Sequence, residues 1–361
     1  MTDLATVTQS YFQPHITGMA IPSRRPRRDG ALDLSRNEMI HPALDPLVKA
    51  VLAELAPATV VEYPIYPELI GELADVVGCR PAELEIFPGS DDAIGVIVDA
   101  FATRTGSMVL QDPTYPTYRY HAQLRDIEVL SWLPRPGTLL FAAEDARWAM
   151  KRTPSTVVVV TDPHGMLGSV LDEEATQELA ATAHRYGHLL VVDQCYEAFR
   201  GNAGAWRGWD NVLRIGSFSK GAGLAGMRLG YVTGAPPLVD YLRRWRRAAA
   251  VSGVTLAVAL ALCRDHRGEL DAIRDDIIDG REWLAGQVVD LEKRLAPLPS
   301  NTNFLTVDAG GAEDARRLKE HLAASGVLVQ SHAGFASLLR FTAAPISLLH
   351  RVVASLRDAP A

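Results

Sequence analysis

The sequence predicts a doubly wound α/β domain with a mostly parallel sheet, joined to a smaller α/β unit. Three observations carry this expectation. Short apolar runs alternate with helical periodicity from about Asp45 to Pro236. Within them Val157 to Val160 is an unbroken run of valine, as a strand buried on both faces requires. Beyond Pro236 the pattern turns long and helical before short strands return.

Residues 1–35 are Pro-rich and irregular, and the basic run Arg24, Arg25, Pro26, Arg27, Arg28 reads as a solvated arm. Apolar spacings of three and four place helices over 45–56, 67–78 and 91–104. Bounded apolar runs give seven strands, at 84–87, 107–110, 128–133, 156–161, 189–193, 211–217 and 228–233. A helix over 172–186 closes at Gly187. The chain is then mainly helical from 237 to about 295, with strands at 302–307, 327–330 and 338–342 alternating with helices. This divides the chain into an N-terminal arm belonging to the smaller domain (1–45), a large domain (46–245) and a smaller C-terminal domain (246–361). No repeat or low-complexity segment interrupts it.

Composition excludes several function classes. The 361 residues are 48% hydrophobic and 22% charged, the profile of a globular enzyme and not of a disordered chain. A net charge of −7 gives no general attraction to nucleic acid. The uncharged run Ala248 to Cys263 is shorter than the ~20 apolar residues a bilayer span needs, and the N-terminus has no apolar signal core. Cys79, Cys195 and Cys263 cannot all pair and match no zinc spacing, so a reduced, cytoplasmic setting and no metal are expected.

In open α/β sheets the chemistry gathers at the carboxyl ends of the strands. The expected strands deliver there Gly89-Ser90-Asp91, Tyr115, His164, Asp193 with Tyr196, Ser217 with Lys220, and then Arg228. Gly89-Ser90-Asp91 opens a helix, where free N–H groups and the helix dipole favour an anion. Gly221 to Gly226 matches G-x-G-x-x-G, but the next acid, Asp240, follows Pro236 and Pro237, where no strand ends. The dinucleotide reading therefore fails.

The segment from Ser217 through Lys220 and Arg228 to Tyr231 resembles the pyridoxal-phosphate lysine segment of fold-type I aminotransferases, and in particular their histidinol-phosphate aminotransferase-like branch. Further motifs in family order carry the resemblance over most of the chain: Ser35-Arg36-Asn37-Glu38, Glu62-Tyr63-Pro64, Gly89 to Ile94, Pro113-Thr114-Tyr115, Val192 to Tyr196, Asn301 to Phe304, and Leu339 to Thr342. It implies pyridoxal 5′-phosphate held as a Schiff base by Lys220, with Asp193 beside the ring nitrogen and Tyr196 on the phenolic oxygen. It also implies a phosphate cradle of Arg228, Ser217 and the N–H groups of Gly89, Ser90 and Asp91. Tyr115 would stack on the ring. Tyr63 would reach the phosphate of a second copy, making a homodimer with shared sites. Arg340 would bind the substrate carboxylate, and Asn37 would lie in the segment closing over substrate.

Two positions depart from the family. Where N-P-x-N-P-x-G is usual, this chain reads Asp162-Pro163-His164-Gly165-Met166-Leu167-Gly168, so glycine occupies the slot whose amide holds the phenolic oxygen. His164 either takes over that contact or caps a turn. Gln330 occupies the slot of an arginine that grips the substrate phosphate, which argues against histidinol phosphate. The basic stretch Arg243, Arg244, Arg246, Arg247 either supplies charge there or forms a solvated face. The leading reading is an aminotransferase for an amino acid or related amine and a 2-oxo acid or aldehyde. Decarboxylation, elimination, cyclisation or oxidation on the same cofactor is the alternative, and a non-catalytic cofactor-binding sensor is a third.

Overall fold

The computed structural model describes residues 12–21, 30–135, 137–200, 206–291, 295–332 and 334–359. The basic run Arg24 to Arg28 lies outside them. Seven strands form the large sheet: β2 (Leu84–Phe87), β3 (Ser107–Gln111), β4 (Glu128–Trp132), β5 (Val157–Thr161), β6 (Leu189–Asp193), β7 (Val212–Ser217) and β8 (Gly230–Gly234). Their order is β2-β8-β7-β6-β5-β3-β4, parallel except for the two pairings that β8 makes. The valine strand β5 is buried along its whole length, as its sequence requires. The Glu173–Arg185 helix packs beside it, started by an Asp172 side chain that accepts from the Ala175 N–H at 2.7 Å and followed by Gly187 at φ 70°.

The smaller sheet is β9 (Ala296–Pro297), β10 (Phe304–Asp308), β12 (Gln330–His332) and β13 (Phe335–Thr342), antiparallel in the order β12-β13-β10-β9. The single strand expected at 327–330 divides. Val327–Leu328 (β11) pairs instead with Leu32–Asp33 (β1), which ties the N-terminal segment to the smaller unit. The helix expected over 91–104 is α-helical at Ser90–Ile97 and continues as one π turn, Val98–Ala102.

Packing changes partners inside the Arg267–Asp290 helix and not at residue 245. Its Leu270, Ile273 and Ile277 join Leu84, Ile86 and the Gly253–Asp265 helix, while Leu284 and Val288 join Leu305, Phe341 and Leu34. Arg243 and Arg246 both converge on the buried Glu85 carboxylate, each at 2.9 Å, so half of the basic stretch anchors its segment to β2.

Candidate active site

The strand ends bring the expected residues to one edge of the large sheet. Asp193 ends β6 at 4% exposure. Its carboxylate accepts from the Tyr118 hydroxyl and from the Cys195 N–H, both at 3.1 Å. Burial pushes its pKa up, and the bonds from Cys195 and Tyr118 oppose that shift. A cation set against this carboxylate would lower its pKa again, which is what a protonated ring nitrogen offers.

Lys220 stands in the short Phe218–Gly221 helix directly after β7, begun by the Ser217 hydroxyl accepting from the Ser219 N–H at 3.1 Å. The Lys220 Nζ donates to the Arg36 carbonyl at 3.2 Å. The Tyr196 hydroxyl receives the Asn37 amide N–H at 2.8 Å.

The cradle is formed by close backbone approach. Gly89 has φ 85°, and a Cβ there would lie 2.7 Å from Arg228 Nη2. Gly230 opposes it, since a Cβ at that position would lie 2.6 Å from Gly89 C and Ser90 N. Arg228, itself left-handed at φ 54°, pairs with Asp91 at 3.0 Å, and Asp91 also accepts from Thr117 Oγ1 at 3.1 Å. Glycines at 89 and 230 thus let the Ser90–Ile97 helix start beside a guanidinium, an anion site of helix N–H groups and arginine. Tyr115 caps the Pro116–Leu124 helix at the same edge, half-exposed.

Arg340 comes from the smaller unit. It lies on β13 between Thr306 and Gln330, donates to the Gly165 carbonyl at 2.7 Å, and sits with its Nη2 3.5 Å from the Ser35 carbonyl. Of the two readings of His164, a cofactor contact or a turn cap, the structure corrects the first and favours the second. Its Nδ1 accepts from the Met166 and Leu167 N–H groups at 3.3 and 3.1 Å, so Nε2 carries the proton and donates to the Pro113 carbonyl at 2.9 Å. No polar atom of the ring remains for a cofactor. Tyr63 is 90% exposed and is not placed with the other site residues.

Sequence reasoning missed Tyr118, Thr117, Thr342 and the role of Asn303. Tyr118 had a signal: it follows Tyr115 by three residues in a helix opening at Pro116, on the same face. Thr342 and Asn303 hold the Asn37 backbone across more than 260 residues, which no local pattern announces.

Among the described residues no helix is long and apolar enough to cross a membrane, and no group of three or more His, Cys, Asp or Glu residues could hold a metal ion. The family model for aminotransferase class I and II matches residues 30–356. Histidinol-phosphate aminotransferase 1 of Carboxydothermus hydrogenoformans is 26% identical over 92% of this chain and 90% of its own length. Histidinol-phosphate aminotransferase 2 of Caulobacter vibrioides is 29% identical over 72% of each. The crystal structure of histidinol-phosphate aminotransferase from Sinorhizobium meliloti in complex with pyridoxal-5′-phosphate superposes with a TM-score of 0.83 at 25% identity, covering 97% of both chains.

An amine-bearing lysine, a buried carboxylate open to a cation and a glycine-lined anion cradle along one strand edge fit pyridoxal 5′-phosphate. With these matches they make the chain a pyridoxal-phosphate-dependent enzyme of fold type I, and it belongs to the aminotransferase class I and II family, in its histidinol-phosphate aminotransferase-like branch.

Proposed function

We propose that this enzyme moves an amino group between an amino acid or related amine and a 2-oxo acid or aldehyde, and that histidinol phosphate is not its substrate. One observation carries the first part: the Arg340 guanidinium reaches the Lys220 and Tyr196 edge from the smaller unit and is fixed by the Gly165 carbonyl. A planar, two-pronged cation there suits a carboxylate.

When bound, pyridoxal phosphate supplies an aldehyde for the Schiff base and an electron sink for the Cα electrons. Asp193 keeps the ring nitrogen protonated, and Tyr118 and the Cys195 N–H hold that carboxylate in place. Arg228, Ser217 and the N–H groups of Gly89, Ser90 and Asp91 would hold the phosphate, and Tyr115 would stack on the ring. Lys220, as a free amine, would take the substrate Cα proton and deliver it to the former aldehyde carbon, two atoms along across the shared nitrogen. The Arg36 carbonyl accepts one of its N–H groups at 3.2 Å, which restricts how the amine can turn.

Gln330, the cross-strand neighbour of Arg340, supports the second part. It is neutral and donates to the Ser331 carbonyl at 2.7 Å. A cavity of about 820 Å³ opens beside it, where Arg36 pairs with Asp33, Arg316 pairs with Glu313 and Glu320, and Lys319 donates to the Ser331 hydroxyl at 2.7 Å.

The exposed segment Val60, Val61, Tyr63 and Ile65 supports a homodimer, in which Tyr63 would serve the partner's site. Three free cysteines fit a cytoplasmic setting. The test mixes loaded enzyme with L-amino acids and with histidinol phosphate and measures oxo product in a single turnover. One oxo acid per bound cofactor from an amino acid, with none from histidinol phosphate, is the expected result. Turnover of histidinol phosphate overturns the exclusion. Carbon dioxide or ammonia in place of oxo acid favours the alternative chemistry that glycine at position 165 suggests.

A further inference from the structure

Three consecutive residues of the N-terminal segment reach three catalytic groups. The Ser35 carbonyl faces Arg340 at 3.5 Å, the Arg36 carbonyl accepts from Lys220 at 3.2 Å, and the Asn37 amide donates to the Tyr196 hydroxyl at 2.8 Å. Asn37 is 1% exposed and left-handed at φ 53°, a conformation asparagine tolerates better than most residues. Its backbone is held on both sides, by a Thr342 hydroxyl that itself donates to the Leu34 carbonyl at 2.7 Å and by Asn303. Its N–H donates to Thr342 Oγ1 at 2.9 Å, its carbonyl accepts from Asn303 Nδ2 at 3.0 Å, and its Oδ1 lies 3.3 Å from Thr342 Oγ1.

A phenolic hydroxyl has one proton to donate and lone pairs to accept with. The Asn37 N–H occupies a lone pair of Tyr196, which leaves the proton for another acceptor. No second side chain competes for it from the central loop, because Gly165 has none. A Cβ built at Gly165 would meet only Tyr196 Cε2 at 3.6 Å and Thr161 Cγ2 at 4.0 Å, so the space beside the tyrosine ring is open.

We infer that Asn37 is a positioning residue whose amide sets the direction of the Tyr196 hydroxyl proton, aiming it at the cofactor's phenolic oxygen from the N-terminal segment because position 165 supplies no donor. The inference rests on Lys220 and Tyr196 contacting the cofactor as proposed above. A donated proton stabilises the ionised phenolic oxygen and lowers the pH at which the bound cofactor's visible absorption changes. Losing that direction raises it.

The test measures this spectroscopic pKa in four variants. Asn37→Gly keeps the left-handed backbone and removes the amide, and a rise of about half to one pH unit is expected. Asn37→Asp keeps the shape but can only accept, so it captures the tyrosine proton; a rise above about one unit is expected. Gly165→Asn in the Asn37→Gly background places a donor in the open space and brings the value back toward that of the unaltered enzyme. Lys220→Ala loses the visible band, which checks the underlying site assignment separately. If the band survives in Lys220→Ala, the site reading fails. If that control behaves while both Asn37 variants stay within about 0.2 units of the parent, the inference is overturned, even where their melting temperatures fall.

Discussion

Replacing Gly230 by alanine tests whether the cradle is where the cofactor phosphate sits. Gly230 starts β8 and pairs with both Phe87 and Ser217, so it joins the strands that deliver Gly89 and Lys220. Its φ is not in the left-handed region, so alanine carries no conformational penalty there and the effect is purely one of space. The new Cβ would stand 2.6 Å from Gly89 C and Ser90 N, which are backbone atoms that cannot rotate away. Reaching ordinary contact at 3.4 Å requires the turn and the strand to separate by roughly 0.8 Å. Overpacking of this kind costs about 1–3 kcal/mol. It also shifts the Gly89 to Asp91 N–H groups off an anion, where one bond to a charged group is worth about 1.5–3 kcal/mol. The expected outcome is a cofactor dissociation constant raised about 10- to 100-fold, measured by titrating apo-protein, together with a melting temperature lower by several degrees. Gly226→Ala is the control, because nothing lies within 4 Å of a Cβ there, and it should leave both quantities unchanged. A Gly230→Ala protein that binds cofactor within twofold of the parent would falsify the placement of the phosphate in this turn.

Two further outcomes follow from residues around the site. His164 is buried and its pKa is depressed to about 4, chiefly by burial, so the folded protein resists a proton that the unfolded chain accepts near 6.5. Its contribution is therefore complete above about pH 6.5 and is lost as pH falls toward 4. Between pH 7 and pH 5 the loss is about 2 kcal/mol, so His164→Gln, which keeps a donor and an acceptor but does not titrate, should flatten the fall in denaturant-measured stability by that amount. Tyr118→Phe removes one of the two bonds to Asp193 and should lower kcat about 5- to 30-fold in steady-state assays, whereas Asp193→Asn should lower it by more than 100-fold.

The central strands of the large sheet were legible because burial on both faces leaves an apolar text, as in Val157 to Val160, whereas the edge strand β4 exposes Glu128 and Ser131. Divided elements were not. Residues 327–330 read as one apolar run, yet β11 and β12 join different sheets, since strand partners are set by tertiary packing and not by composition. Of the candidate site, what contiguous motifs made legible was placement: Asp193 ends β6, Lys220 follows β7 and Arg228 lies beside Asp91. His164 shows the limit: sequence places it next to Gly165 but cannot say that both its nitrogens serve the backbone. The contacts of Asn37 with Thr342 and Asn303 lie beyond any sequence window.

Those long-range contacts make the site depend on how the two units meet, and Gly280 is where the dependence is sharpest. It lies within the Arg267–Asp290 helix, between the turns that pack on the large unit and those that pack on the smaller one. A Cβ at Gly280 would fall 1.9 Å from the Ala344 carbonyl oxygen, an overlap that only a backbone shift relieves. Ala344 follows Thr342 by two residues, and Thr342 holds both the Asn37 N–H and, through β13, the position of Arg340. Gly280→Ala would favour the helix by about 1 kcal/mol on propensity alone, so a purely local account predicts stabilisation. The packing predicts the opposite: a loss of about 1–3 kcal/mol or more in stability. It also predicts a KM for the amino-acid substrate raised more than the cofactor dissociation constant, because Arg340 and the Asn37 segment move while the Gly89 to Arg228 cradle stays. If both constants rise together, the displaced backbone has disturbed the large unit as well, and the coupling through Thr342 is not the route.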